Sequence, residues 1–448
     1  MSPDRRRDAA AAHHGGFLPL TGPAPPGRPR AAVVVTGSEL VRGERTDLNG
    51  PYLARELLSL GLEPARISIV GDTAGELAAA LGEGLQAELC VVSGGLGPTH
   101  DDRTVELLAA AAGIDLVVDL ELEREIERRS RAVAERLKRP YADFAAGVTK
   151  QATRPSTAIP IGLVGTAPGL VVPIGGRVAV ALPGPPWELR ELWPKALETA
   201  PMRALLARAR RPSRRVLRFY GASESAVAQA LATAGGDGNG VEATICARDF
   251  EIHVDLVVDP GAEERADRLT AALGAPLEEY LFARDERTVE EIVLDLCREQ
   301  GLTVATAESC TGGLVAARLT SVPGSSDVVL GGVVAYANEV KEAELGVPRE
   351  LLAEHGAVSA EAAAAMAAGA RERLHADVGI SVTGIAGPGG GTPEKPVGLV
   401  FMHVETPEAG RGIEFTYAAD REGVRRRATV GSLHLARRLL SQSRHSRV

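Results

Sequence analysis

The sequence predicts an α/β protein built on parallel sheets, with a smaller α+β module between two larger domains. Three observations carry this. Short runs rich in β-branched residues alternate with stretches of helical period at both ends of the chain, as strand–helix–strand units do. Glycine-rich and small polar loops follow several of those strands, where open sheets place their ligand crevice. With 45% apolar and 24% charged residues in 448, the chain can bury more than one domain's core.

Residues 1–30, rich in Pro, Gly, Ala and Arg, read as a disordered tail. The first domain spans 31–206. Its strands are Ala31–Val35, Pro64–Val70, Leu89–Ser93 and Val178–Leu182. Helices are expected over Pro51–Leu60, Ala74–Leu85, a charged and solvated stretch Leu120–Leu137, and Glu188–Leu206. Five arginines and a proline in Arg208–Arg215 suggest a linker. A module follows over 215–286, with strands Val216–Phe219 and Glu251–Val258, helices from Ser223 and Glu263, and a glycine-rich hairpin at Gly235–Gly240. The last domain, 288–442, resumes the alternation with helices 288–300, 312–320, 338–345, 360–374 and 421–440, and strands 302–307, 329–335, 377–382, 397–404 and 412–417.

Composition bounds the function. A net charge of -9 and few aromatic residues argue against a nucleic-acid partner. No apolar run is long enough to span a bilayer. The N-terminus lacks the apolar core of a signal peptide. Four scattered cysteines without a CxxC pair suit a reduced cytoplasmic protein with no structural zinc. A homo-oligomer, most simply a dimer, is expected of such domains.

Leu302–Gly313 is the stretch with the most chemistry. A buried strand breaks into Glu308-Ser309-Cys310-Thr311-Gly312-Gly313 and then opens a helix. Backbone N–H groups at such a turn suit an anion or a developing oxyanion. Ser309 or Thr311 reads either as a helix cap or as a participant in chemistry. Two further loops belong to the same domain. Tyr336, Asn338 and Lys341 straddle a strand-to-helix junction, and Ser381–Pro396 holds a glycine loop with Lys395. The domain's histidines sit in no matching loop, which leaves Lys341, helped by Tyr336, as the base for Ser309. The plain alternatives are a solvated helix lysine, a half-buried strand tyrosine and an ordinary flexible loop. Cys310 is a rival nucleophile or a small buried residue. The arginines at 421, 425, 426 and 427 open the last helix, facing either a phosphate or solvent.

In the N-terminal domain, Gly94, Gly95 and Gly97 follow a strand and lead to Thr99, Asp101 and Asp102. Glycines there can cradle phosphates, and adjacent carboxylates can hold a divalent metal. They read equally as a cap and first-turn charge. Asp47 and Asn49 carry the same two readings.

The C-terminal motifs A-E-S-C-T-G-G, G-S-S, Y-A-N-E-V-K, H-G-A-V-S and T-G-I-A-G-P-G-G-G-T-P-E-K-P-V-G appear in order. This third of the chain resembles the CinA family of nicotinamide mononucleotide (NMN) deamidases. The resemblance implies hydrolysis of the NMN carboxamide to nicotinic acid mononucleotide and ammonia, without a metal or cofactor. It implies Ser309 as nucleophile, with Tyr336 and Lys341 activating it. Substrate would be held by Thr311, Gly312, Gly313, Ser326, Asn338, Thr383, Gly384, Gly387 and Lys395, with Arg421 and Arg425 on its phosphate.

The N-terminal motifs G-S-E-L, D-L-N, V-G-D, G-G-L-G-P-T-H-D-D, G-T-A-P-G and L-P-G-P-P also run in order. They resemble the molybdopterin-binding-like domain of the same family. This implies a nucleotide site at Asp47, Asn49, Gly94, Gly95, Gly97, Thr99, Asp101 and Asp102, and a metal-dependent ADP-ribose pyrophosphatase with the metal on Asp101 and Asp102. Two departures bear on that activity. Gly147-Val148-Thr149 stands where relatives carry Asn-Asn-Arg, and Gly162-Leu163 where they carry Asn-Pro. Two other readings are a non-catalytic nucleotide sensor and, by fold analogy alone, a protein handling the molybdenum cofactor.

Overall fold

The structure, a computed structural model, describes residues 28–445. The expected tail therefore falls outside the described residues up to position 27. Residues 28–30 belong to the fold: Arg28 is buried and donates to Glu63, and Arg30 begins the first strand. The chain divides into two compact units at Ser213/Arg214. No helix among the described residues is long and apolar enough to cross a membrane.

The first unit runs β1 (Arg30–Thr36), α1 (Ser38–Val41), α2 (Asn49–Ser59), β2 (Glu63–Val70), α3 (Ala74–Gly84), β3 (Leu89–Ser93) and α4 (Thr104–Ala112). A short ribbon, β4 (Leu116–Val118) with β5 (Thr153–Pro155), brackets α5 (Leu120–Leu137), α6 (Ala142–Ala145) and α7 (Val148–Ala152). Then come β6 (Ile159–Leu163), β7 (Pro168–Ile174), β8 (Arg177–Leu182), α8 (Pro186–Leu197) and α9 (Ala200–Leu206). Its six-stranded sheet has the order β2-β1-β3-β8-β7-β6.

The parallel expectation holds for β2, β1, β3 and β8 and fails at the far edge, where β7 is antiparallel to both neighbours. The physical reason is Gly175-Gly176. Both have positive φ, and a two-residue turn of that kind folds β7 back onto β8 without a crossover. The helix expected over Glu188–Leu206 is two helices that break at Thr199, with Pro201 taken up in the first turn of the second. Helix α5 is mostly solvated, yet Leu122, Ile126, Ser130 and Ala134 form one buried stripe.

The second unit opens with the module: β9 (Ser213–Phe219), α10 (Glu224–Thr233), β10 (Val241–Arg248), β11 (Glu251–Val258), α11 (Glu263–Gly274) and β12 (Leu281–Ala283), with sheet order β10-β11-β9-β12. Strand β9 begins inside the expected linker. The hairpin lies elsewhere than expected: β10, missed in the sequence, pairs with β11 through a turn at Asp249-Phe250, not at Gly235–Gly240. Both turn residues have positive φ, as tight hairpins demand.

The remaining elements are α12 (Val289–Gln300), β13 (Val304–Glu308), α13 (Leu314–Thr320), β14 (Val329–Val334), α14 (Asn338–Leu345), α15 (Arg349–His355), α16 (Ala360–Leu374), β15 (Val378–Gly384), β16 (Leu399–Glu405), β17 (Gly410–Thr416) and α17 (Arg421–His445). Helix α15 was not foreseen. The sheet order is β14-β13-β15-β16-β17, with the first three strands parallel and the last two antiparallel. Helices α12, α13 and α17 cover one face and α14–α16 the other. The alternation of β13 sends Ala305 and Ala307 to the second face and Val304, with Thr306 and Glu308, to the first. The three parallel strands end at one edge, where the candidate site lies.

Candidate active site at the carboxyl ends of the parallel strands

Ser309 follows the last residue of β13 and is 9% exposed, held by its N–H donating to Val382 O at 2.8 Å. Lys341, on α14, is 1% exposed. Its Nζ donates to Ala335 O at 2.8 Å and Tyr336 O at 3.2 Å, and reaches Ser309 Oγ at 3.4 Å. Lys341 and Leu345 share the buried face of α14 at i, i+4. The lysine therefore occupies a core stripe, and the solvated-lysine alternative is overturned. Burial pulls its pKa below the ordinary value, against weaker upward pulls from Cys310 and Glu339. This geometry has a chemical consequence. A neutral amine has two N–H groups and one lone pair; the two carbonyls engage both hydrogens, and the lone pair is left to face Ser309.

Tyr336 is placed differently from the expectation. It lies past the end of β14, 62% exposed, and its hydroxyl accepts from Arg421 Nη2 at 3.1 Å. It serves Lys341 through its backbone carbonyl. Arg421 also donates to Gly387 O at 2.7 Å, while Arg425 donates to Cys310 O at 3.1 Å and Thr311 O at 2.9 Å. The two arginines tie the start of α17 to the serine turn and the glycine loop. A cavity of about 1100 Å³ opens beside them, lined among others by Leu314, Pro388, Val397 and Arg426.

Several expected ligand-binding residues are engaged inside the protein. Thr383 Oγ1 donates to Ala357 O at 2.6 Å, and Lys395 Nζ donates to His355 O and Val358 O, both at 2.7 Å. These bonds pin the glycine loop that holds Gly384 and Gly387. Asn338 is exposed in the first turn of α14. Ser326 is exposed in the turn that precedes β14, at the opposite end of the strands from Ser309, and the single chain does not bring the two together. Thr311 is fully buried with its Oγ1 unpartnered. Cys310 is buried, and burial pushes its thiol up to about 12, which disfavours a thiolate nucleophile.

The residue the sequence reading missed is Glu308. Its carboxylate, 1% exposed, accepts from the N–H groups of Gly313 at 3.0 Å, Val315 at 3.1 Å and Ala316 at 2.9 Å. Neither Ser309 nor Thr311 caps α13. Glu308 satisfies that helix start and occupies the donors expected for an external anion. Gly312 and Gly313, both at positive φ, let the turn close around it. The available signal was an acidic residue in the last position of a wholly buried strand. Glu308→Ala should leave the three N–H groups unpaired and lower stability by roughly 3 kcal/mol, read as an earlier denaturant midpoint for this unit.

In the first unit, Gly94, Gly95, Gly97, Asp101 and Asp102 line a cavity of about 350 Å³ with Asp72 and Glu188. Glu188, also missed, is buried, and burial raises its pKa. Asp47 Oδ1 accepts from Asn49 N at 2.8 Å and Gly50 N at 3.0 Å, a capping role at the start of α2. The buried Asn49 amide donates to Ser93 Oγ at 2.9 Å and Gly184 O at 2.7 Å, joining loops. Asp101 and Asp102 both accept from the Thr99 hydroxyl, and Asp102 Oδ2 also accepts from Thr99 N at 2.9 Å. Lys150 Nζ donates to Thr99 O beside them. Among the described residues no group of three or more His, Cys, Asp or Glu is placed to hold a metal. One oxygen of each carboxylate is thus turned onto Thr99, with the Lys150 ammonium alongside.

Residues 286–440 match the family model described as the CinA C-terminal domain, and residues 32–202 the one described as a probable molybdopterin binding domain. A CinA-like protein of Mycobacterium tuberculosis is 43% identical over 426 residues, covering 92% of this chain and 97% of the relative. The chain belongs to the CinA family. Another CinA-like protein, from Mycolicibacterium paratuberculosis, is 42% identical over 434 residues, covering 92% of this chain and 99% of its own length. The crystal structure of competence/damage inducible protein CihA from Agrobacterium tumefaciens is 41% identical, covers 34% of this chain and 96% of its own, and has a TM-score of 0.32. The fold of this CinA-family chain is thus a molybdopterin-binding-like sheet domain followed by the module and the CinA α/β domain.

Proposed function

We propose that the chain hydrolyses the carboxamide of nicotinamide mononucleotide to nicotinic acid mononucleotide and ammonia, within pyridine nucleotide salvage. The observation that carries this reading is the buried Lys341 Nζ, 3.4 Å from Ser309 Oγ, with two carbonyls placed to take its N–H groups. Family membership supports the substrate class, and the Arg421/Arg425 pair beside a cavity of about 1100 Å³ suits a nucleotide phosphate.

The steps follow from these groups. Neutral Lys341 takes the Ser309 hydroxyl proton as Oγ bonds to the carboxamide carbon. The C–N bond then breaks, and the proton passes from Lys341 to the departing nitrogen, which leaves as ammonia. Water attacks the acyl ester and gives a proton to Lys341. The C–Oγ bond breaks as the proton returns from Lys341 to Ser309, and the carboxylic acid leaves, its remaining proton passing to the released ammonia or to solvent. This route is written with side chains alone.

The test is ammonia release from NMN by the full chain with a divalent chelator present. Turnover is the expected result. NMN binding without ammonia would put the sensor reading in its place. For the N-terminal domain we propose nucleotide binding in the cavity of about 350 Å³.

A further inference from the structure

Helix α17 carries the site's two arginines at its start and is gripped further along by the 214–283 module. At the hairpin tip, Arg426 pairs with Asp249 at 2.8 Å and Arg427 lies over the Phe250 ring at 4.6 Å. Two turns on, Tyr220 stacks on His434 with centroids 3.7 Å apart and planes at 7°. Gly431 permits this approach, since a Cβ there would meet Met402 Sδ and Tyr417 Oη at 3.0 Å and Tyr220 Oη at 3.3 Å.

At the centre of the contact is Glu251, 4% exposed on β11. Its two oxygens accept from His434 Nε2 at 2.8 Å and His253 Nε2 at 2.9 Å. Burial raises its carboxyl, but the two imidazole bonds and their charges outweigh that and bring it down to about 2. Burial brings fully buried His434 down to about 4 against the pull of Glu251. At neutral pH a buried carboxylate is therefore held by the neutral His434 imidazole and by the His253 ring beside it on β11. Sliding or turning α17 would take His434 from that buried charge and leave it on His253 alone, a loss that opposes the movement. The register of α17 is fixed at His434. Arg425 lies nine residues nearer the start of the same rigid helix, roughly 14 Å away at 1.5 Å per residue.

We propose that the 214–283 module positions the Ser309 site through α17, with Glu251 as the residue that sets the helix's register. Arg425 then holds the Cys310 and Thr311 carbonyls, and Arg421 holds Gly387 and the Tyr336 hydroxyl. The module is thus part of the site's framework and not only a connector. The kinetic arm of the test rests on the deamidase reading, and the exchange arm does not.

In the full chain, Glu251→Gln should speed amide hydrogen exchange in residues 310–316 by about tenfold. It should also raise KM for NMN about tenfold, with kcat within about threefold. Asp249→Ala, at the half-exposed tip that also lines the large cavity, should speed exchange at 310–316 by about twofold to threefold, and its exchange decides the matter if Glu251→Gln does not fold. The proposal is overturned if both variants keep wild-type exchange at 310–316 and Glu251→Gln keeps wild-type KM. A uniform rise in exchange across the unit with KM unchanged would also overturn it, since that marks a merely structural role. Should wild type release no ammonia from NMN, the deamidase reading falls and the exchange arm alone decides positioning.

Discussion

Ser309→Ala should release ammonia from NMN at least about a thousandfold more slowly than wild type, with NMN affinity within a few-fold. The expectation follows from position. Among the described residues Ser309 is the hydroxyl-bearing side chain within hydrogen-bond reach of the Lys341 amine, and a methyl group in its place removes both the attacking atom and the proton that Lys341 would accept. The alanine fits the nearly buried position without displacing the backbone bond to Val382. Binding should therefore survive while chemistry stops, and single-turnover ammonia release alongside equilibrium binding separates the two. Undiminished turnover would move the reaction to Cys310 or to direct attack by water and would remove Ser309 from the mechanism.

Lys341 substitutions should have the second largest effect. In wild type, kcat/KM is expected to rise with pH as Lys341 loses its proton, because only the neutral amine can take the serine proton. Burial lowers the pKa from the ordinary lysine value of 10.5, so the midpoint of that rise should fall below 10.5. The sign is fixed: activity is lost as pH falls through the lowered pKa. Lys341→Met keeps the length and apolar packing of the side chain but leaves the Ala335 and Tyr336 carbonyls without its donors, and should cost about a thousandfold in kcat/KM. Lys341→Arg keeps a cation that cannot act as a base in this range, and should be similarly inactive. A pH–rate series on wild type and both variants checks this. An arginine variant with substantial activity would show that charge and not proton transfer is what position 341 supplies.

Much of the architecture is legible in local pattern. The strands Leu89–Ser93 and Glu251–Val258 and the helix Leu120–Leu137 match their sequence assignments residue for residue. Period and turn chemistry act over a few residues, and nothing distant overrides them there. The failures have equally local causes. Gly175-Gly176 forms a two-residue hairpin turn, so the sheet edge is antiparallel where strand–helix alternation alone predicts parallel strands. Strand β10 alternates inward Val241, Ala243 and Ile245 with exposed Glu242, Thr244 and Cys246, but its alanines are weak strand formers and most of this edge strand is exposed, so its signal is faint. Helix α15 is only seven residues long and has no side-chain cap to announce it.

At the site, the sequence by itself determined which loops matter: the turn after β13, the β14–α14 junction and the glycine loop end three parallel strands, so they meet at one edge. It also placed Ser309 and Lys341 among the reactive residues. Only the tertiary structure decided which atoms face each other. It put Lys341 in the core stripe of α14, sent the Tyr336 hydroxyl to Arg421, gave the start of α13 to Glu308, and engaged Thr383 and Lys395 on the carbonyls of residues 355–358. The reason is separation along the chain. Ser309 and Lys341 are 32 residues apart, Tyr336 and Arg421 are 85 apart, and Glu251 and His434 are 183 apart. Backbone pattern is set by neighbours in sequence, whereas a buried polar atom takes whichever partner the packed elements bring within hydrogen-bond reach.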